Sequence, residues 1–284
     1  MIKVTAIITT HNRLKLLKQA VESVLNQTYN NIELIVIDDH SSDGTVEWCL
    51  NNNITVFKNP SKGVNKARNF GIKQAHGDYV AFLDDDDWWY NTKIEKQVEL
   101  AKLYSCGVIY CGIRKSIKTE DGWMYNDIYP LHINQGDVSR RILLEIFTVT
   151  STLLINRKLL INVGLFDENI NFWQEYELCI RLAQLTGFCA VNEILVNYLV
   201  DSADKSRLTN KYNKWRKSVK NIHNKHKNLY SKLTPIERIQ AKRVEIWDGI
   251  SRCENAGMNI QKQINIIQLK LSFIVEGIIR RFLK

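Results

Sequence analysis

Tyr79-Val80-Ala81-Phe82-Leu83-Asp84-Asp85-Asp86-Asp87-Trp88-Trp89 decides how this chain is read. An apolar run fit for a buried strand passes directly into four consecutive carboxylates and a tryptophan pair. In α/β sheets, ligands gather outside the carboxyl ends of the strands, and these aspartates fall at such an end. Carboxylates crowded this closely raise one another's pKa unless a positive charge neutralises them, and their hard oxygens suit Mg²⁺ or Mn²⁺. A solvated acidic turn would also place Asp after a strand. The meaning of the cluster therefore depends on what the rest of the chain sets beside it.

Upstream, strand-like and helix-like segments alternate. Residues 4–9 read as a buried strand. A helix over 14–26 follows, with Leu14, Leu17, Val21, Val24 and Leu25 on one face, and then a strand over 32–37 ending at Asp38 and Asp39. His40-Ser41-Ser42-Asp43-Gly44-Thr45 is a turn and cap cluster opening another helix, followed by a strand over 54–57 and a helix from Gly63 carrying Arg68. Downstream of the aspartates the pattern predicts a helix over 92–104 and a strand over 107–116. It then predicts a loop over 118–135, a helix over 138–147, a strand over 150–156, a helix over 174–185 and a strand over 189–200. This alternation predicts an α/β fold, a mostly parallel sheet flanked by helices.

The 284 residues carry a formal net charge of +9, distributed unevenly. Residues 1–200 hold 20 Lys+Arg against 23 Asp+Glu, while 201–284 hold 19 against 7. That split predicts a body over 1–200 and a basic, helical C-terminal extension over 201–284 that meets a polyanion or an anionic membrane face. Within the extension, Ile264, Ile267, Leu271, Ile274, Ile278 and Phe282 recur at three- to four-residue spacing. Arg280, Arg281 and Lys284 crowd its end. Such a helix fits a membrane interface, or packs on the body or on a second copy of the chain. No run of eighteen apolar residues is present, and Met1-Ile2-Lys3-Val4 leads straight into a strand pattern, so a cytosolic location is expected. The six cysteines show no CxxC or zinc-like spacing and are expected to be reduced and structural.

No Walker A sequence and no GxGxxG follow the first strand, so phosphates need another anchor. The strand ends offer Thr9-Thr10-His11-Asn12-Arg13, Asp38-Asp39, Gly63 with Arg68, and Asp84 to Asp87. Together these make a nucleotide-sized site. A carboxylate can accept from a base N–H, Arg68 can pair with phosphate, and a metal can bridge a diphosphate. The order I-I-T-T-H-N-R, V-I-D-D-H-S-S-D-G-T, K-G-V-N-K-A-R-N-F-G-I and G-D-Y-V-A-F-L-D-D-D-D-W resembles family 2 glycosyltransferases of the GT-A fold. The likeness spans roughly 1–200 and continues through V-G-L-F-D-E and Y-E-L-C-I-R-L.

The resemblance implies an inverting transfer of a sugar from a nucleoside diphosphate donor to an acceptor hydroxyl. It places Thr10, Asn12, Asp38 and Asp39 around base and ribose, with one of the two aspartates holding a pyrimidine N–H, uridine being the commonest base in the family. Arg68, Asp84 and Asp85 fall near the donor nucleotide, Asp86 on the metal (Mn²⁺ or Mg²⁺), and Asp87 near the donor sugar. The family's catalytic base is usually the Asp of a Glu-Asp pair opening the late helix. Here Trp173-Gln174-Glu175-Tyr176-Glu177-Leu178 stands in that place, so Glu175 takes the base position and Gln174 the preceding one. A glutamate keeps the chemistry, since any carboxylate in reach of the acceptor hydroxyl can take its proton. Glu177 is the alternative, and Trp173 an acceptor-stacking candidate. The resemblance further implies a UDP-sugar donor, a lipid-linked saccharide acceptor and work at the inner face of the cell membrane. Rival readings are a sugar-phosphate nucleotidylyltransferase, which lacks its glycine-rich loop here, and a nucleic-acid-binding protein, which leaves the carboxylates unexplained.

Overall fold

The computed structural model describes residues 1–104, 106–119, 122–201 and 212–282. The chain runs β1 (Val4–Thr10), α1 (Leu14–Leu25), β2 (Ile32–Asp38), α2 (Thr45–Asn51), β3 (Thr55–Lys58), α3 (Val64–Gln74) and β4 (Tyr79–Asp84). It continues with β5 (Trp88–Trp89), α4 (Lys93–Tyr104), β6 (Val108–Thr119), β7 (Gly122–Ile128), β8 (Leu154–Asn156), α5 (Arg157–Asn162), α6 (Gln174–Ala183) and β9 (Phe188–Asp201). The extension supplies α7 (Tyr212–Lys225), α8 (Lys227–Tyr230), α9 (Pro235–Asn255) and α10 (Asn259–Phe282).

β1 is buried along its whole length, as its apolar run predicts, and lies inside a mixed sheet of order β3-β2-β1-β4-β8-β6-β9-β5, with β7 on the side of β6. The first four strands in that order are parallel, and β8 joins them antiparallel to both β4 and β6. From β1 the chain turns to β2 on one side and later to β4 on the other, which opens a crevice at the strand ends. The register aligns Thr10 with Asp38 and Thr9 with Asp84, so three of the polar clusters read from sequence meet along one edge.

Most predicted elements are present, with boundaries moved by a residue or two. Leu25, expected on the buried face of α1, is the last residue of that helix and is exposed, while Leu17, Ala20, Val21 and Val24 pack inward. The expected loop over 118–135 contains β7, which pairs antiparallel with β6. All its residues face solvent, so no buried face marks its alternation in the sequence. The helix expected over 138–147 shrinks to a 3₁₀ turn, Arg141–Leu143, which is enough to bury Val138, Ile142 and Leu143. The strand expected over 150–156 begins only at Leu154, after a second such turn.

The cysteine expectation also needs correction. Cys106 and Cys189 are joined, their Cα atoms 6.1 Å apart, because the parallel pairing of β6 with β9 brings positions 83 residues apart in sequence side by side. Cys49, Cys111, Cys179 and Cys253 are free and buried.

In the extension, α9 starts from a Thr234/Glu237 capping box with Pro235 in its first turn. It pairs with α10 as a hairpin. Arg243 donates to the Ser272 carbonyl at 2.9 Å and meets Glu276, and Asn265 reaches the Cys253 sulfur. α10 leaves Ile264, Ile267, Leu271, Ile274 and Ile278 each between 42% and 58% exposed. The side chain of Phe282, and Lys284, lie outside the described residues, as does the link over 202–211. Among the described residues no helix is long and apolar enough to cross a membrane.

Candidate active site

The acidic turn after β4 divides into four different environments. Asp85 accepts from the Thr10 hydroxyl at 2.8 Å and from Arg13 at 3.3 Å, and Arg13 also reaches Asp86 at 3.1 Å. Arg68 donates to Asp84 at 2.6 Å from the inner face of α3. Asp87 is buried and turned away, accepting from the Ser151 hydroxyl at 2.6 Å and the Leu199 amide at 3.0 Å. Burial and repulsion from Asp86 push the Asp85 carboxyl up to about 6, against the pull of Arg13 and Thr10. Burial, then Asp86 and Asp84, raise Asp87 well above the carboxylate range. Asp84 keeps the most exposed of the compared carboxylates, at 32% of its side chain against 16% for Asp86 and 8% for Asp85.

At the neighbouring strand end, Asp38 is buried and caps the following turn through the Ser41 amide at 3.2 Å. Asp39 is half-buried and accepts from Asn59 at 2.8 Å and from the Gly63 amide at 3.0 Å, which ties β2 to the start of α3. Asn12 stands in the left-handed region at φ 53° and holds the Ser42 amide at 2.7 Å. Asn12 and Asp38 thus shape the loop that follows β2, while Asp39 keeps lone pairs free for a ligand.

α6 begins at Gln174 after Trp173, itself left-handed at φ 58°. Glu175 is partly accessible, and its carboxyl is raised. Burial is the first cause and Asp84 adds to it, while its own backbone amide, Arg68 and Arg252 oppose the shift. Asp84 and Arg68 thus act on Glu175 within electrostatic reach, although it lies about ninety residues later in the chain.

Two acceptor candidates do not face this site. Glu177 is fully buried and accepts from Arg181 at 2.7 Å and His226 at 3.0 Å, with Lys225 at 2.9 Å. Burial alone would raise its carboxyl, but these partners hold it down at about 2. It is a structural centre joining α6 to α7. Trp173 is 9% exposed, donates its indole N–H to Asp248 at 2.8 Å and packs edge-on against Tyr176 and Trp215, so its ring has no open face for a sugar.

Four partners carried no role in the sequence reading. Arg13, beside Thr10 and Asn12 in sequence, meets Asp85 and Asp86 in the fold. Ser151, Asp248 and Arg252 gave no signal. Serine in a T-V-T-S-T run and charges on a basic helix are ordinary until the fold juxtaposes them. A cavity of about 370 Å³ lined by Leu100, Tyr104, Cys106, Gln135, Phe188 and Cys189 lies away from these groups and holds none of the candidate chemistry.

For a divalent cation, no group of three or more His, Cys, Asp or Glu is arranged to hold a metal among the described residues. Mg²⁺ and Mn²⁺ bound between one or two carboxylates and a substrate diphosphate need no such cage. The Arg13 guanidinium already sits as a cation on the Asp85–Asp86 pair. The pair thus draws positive charge, and its oxygens are of the hard type that Mg²⁺ or Mn²⁺ takes.

Residues 5–164 match the family model described as Glycosyl transferase family 2, which takes in the switch point, the Asp38-Asp39 edge and the acidic turn. The chain belongs to family 2 of the glycosyltransferases. An uncharacterized glycosyltransferase of Rickettsia typhi is 33% identical over 205 residues, covering 70% of this chain and 64% of that protein. A glucosyltransferase of Escherichia coli named WfaP, UDP-Glc:alpha-D-GlcNAc-diphosphoundecaprenol beta-1,3-glucosyltransferase, is 44% identical over 101 residues, covering 34% of this chain and 39% of WfaP. The chain thus spans less than two thirds of each relative. The mannosyltransferase PcManGT of Pyrobaculum calidifontis, solved with GDP-Man and Mn²⁺, aligns with a TM-score of 0.63 at 13% identity, covering 97% of this chain and 83% of that one. That alignment shows a shared GT-A fold.

Proposed function

We propose that this glycosyltransferase moves a sugar from a UDP-sugar to a hydroxyl of a lipid-linked saccharide by a single displacement at the anomeric carbon. The observation carrying this reading is the family match over residues 5–164 laid on a register that brings Thr10, Asp38 and Asp84 to one edge, with the Glu175 carboxyl raised by burial and by Asp84. A base tuned upward can take the acceptor proton as the donor bond breaks. Asp39, with Thr10 behind it, faces the base and ribose. Asp86, with Asp84 beside it, would hold Mg²⁺ or Mn²⁺, which when bound supplies positive charge to the departing diphosphate. Arg13 and Arg68 supply the chain's own positive charge there. Asp87, seated on Ser151 and Leu199, fixes the acidic turn, and its influence on the donor sugar passes through that turn.

The UDP assignment is supported by WfaP, whose name gives a UDP-glucose donor and a diphosphoundecaprenol-linked acceptor. PcManGT with GDP-Man makes the base worth testing. In calorimetry with Mn²⁺, UDP is expected to bind at least tenfold more tightly than GDP, CDP or ADP, a difference of about 1.4 kcal/mol. A preference for GDP would overturn the base assignment around Asp38 and Asp39.

A lipid-linked acceptor also places the enzyme at the inner membrane face, and α10 offers the matching surface, with Arg280 and Arg281 at its end and Lys270 midway. Nucleic acid is the weaker partner, because several extension cations are already paired inside the fold, Arg243 with Glu276 and Arg252 with Asp248 among them. Replacing Ile267, Leu271 and Ile274 together by Ser is expected to reduce cosedimentation with anionic vesicles several-fold, at unchanged secondary structure. Equal vesicle binding would refute the membrane role, and a shift from dimer to monomer would assign the face to a second subunit.

A further inference from the structure

Asp248 and Arg252 lie on α9, one turn apart, beyond the segment in which the family motifs occur. The Asp248 Oδ2 accepts from the Trp173 indole N–H at 2.8 Å and from Arg252 Nε at 2.8 Å. Trp173 is the left-handed residue on which α6 begins, two positions before Glu175. A non-glycine residue at φ 58° is strained and persists only where its surroundings over-determine it. Here they do, through the Asp248 bond and the edge-on packing of Tyr176 and Trp215.

Arg252 is 8% exposed, with its guanidinium carbon 5.4 Å from the centre of the Phe172 ring and 5.5 Å from that of Trp215. Its Nη1 is buried without a hydrogen-bond partner among the described residues. A charged donor left unmet in an aromatic enclosure is costly, and a single ion pair on Nε does not account for it. α9 is nevertheless pressed in closely. A Cβ at Gly249 would lie 3.1 Å from the Trp215 ring. Through Asp248 and Phe172 the enclosure holds that positive charge against the residues that lead into α6, two to three positions before Glu175.

We propose that Asp248 and Arg252 are positioning residues of the catalytic centre. Asp248 holds Trp173, and with it the start of α6, in the geometry that aims Glu175, while Arg252 sets a fixed cation against that carboxylate. This rests on the reading of Glu175 as the base. The groups acting on Glu175 come from four sides: Arg68 on α3, Asp84 on β4, Arg252 on α9 and its own amide on α6; the Cys179 thiol one turn on is raised by burial and in part by Glu175. Arg68 is paired with Asp84 and Arg252 with Asp248, and each leaves its Nη1 without a hydrogen-bond partner among the described residues; Arg252 is the one that also anchors Trp173 through Asp248.

The test is a carbon-13 titration of glutamate-labelled full-length protein, with the Glu175 resonance assigned by its loss in Glu175→Gln. In Arg252→Gln the Glu175 midpoint is expected to rise by about one pH unit, the effect of removing a nearby opposite charge. The acid limb of kcat should move with it, UDP affinity should hold, and Arg252→Lys should restore most of the shift. An unchanged midpoint in a folded Arg252→Gln protein overturns the charge role. Asp248→Asn keeps the shape of the anchor. It is expected to move the Trp173 indole N–H resonance and lower kcat several-fold without changing donor KM, and an unmoved resonance with wild-type kcat overturns the aiming role. If Glu175→Gln itself proves active, the base reading fails, yet the midpoint in Arg252→Gln still decides whether the two groups are coupled.

Discussion

Glu175→Gln should lower turnover by roughly 10²- to 10⁴-fold while leaving UDP affinity in Mn²⁺ within twofold of wild type. The amide keeps the size and hydrogen-bonding capacity of the side chain but cannot accept the acceptor's proton. The donor groups, on β1, β2 and β4, are untouched. In the wild type, the acid limb of the kcat profile should lie above the ordinary glutamate range, because burial and Asp84 disfavour the ionised form. Glu175→Asp should retain measurable activity. The control is Glu177→Gln. It removes the carboxylate that Arg181, Lys225 and His226 surround, so it should cost about 3–5 kcal/mol of stability as buried pairs are broken. Since its folded pKa is depressed to about 2 from 4.5, Glu177 stabilises the fold above the higher value and loses that contribution as pH falls through the lower. A fully stable but inactive Glu177→Gln beside a near-normal Glu175→Gln would show that the base lies elsewhere on α6.

Asp86→Ala is the second large effect expected. Turnover should drop by at least 10³-fold, about 4 kcal/mol of transition-state stabilisation, and the dependence of UDP binding on Mn²⁺ should largely disappear. The fold should survive. Asp86 accepts from Arg13, which also donates to Asp85, and removing the carboxylate that repels Asp85 most should bring the Asp85 pKa down from about 6. Undiminished metal-dependent UDP binding with near-normal turnover would sink the assignment.

How far the sequence reading reached follows from which signals are local. The parallel half of the sheet was legible because each strand is a continuous apolar run ending in polar residues. The strand-end clusters at Thr10, Asp38 and Asp84 could be placed together because parallel strands put their carboxyl ends on one edge. What escaped were features created by juxtaposition. β7 buries nothing, so its alternation is silent. The Cys106–Cys189 bond depends on the β6/β9 register. Glu177, the alternative base, lies two residues on from Glu175 and so points to a different neighbourhood on the helix; that this neighbourhood is α7, with a lysine and a histidine waiting, was not legible. Arg13 had no visible role until the fold set it across from Asp85 and Asp86.

The shift in charge near residue 200 marks a change of composition but not a seam at which the molecule can be cut. Trp215, Val219, Ile222, Leu233 and Ala241 belong to the same apolar cluster as Phe82, Phe166 and Tyr176, and Arg140 reaches across to Glu237. A fragment ending at residue 201 would retain every family motif and still lose one wall of its own interior. It would expose the aromatic side of α6 and free Trp173 from the contact that holds its backbone. The stretch that carries the family motifs is therefore shorter than the stretch that closes their core, and a piece cut by motif would turn that apolar wall to water.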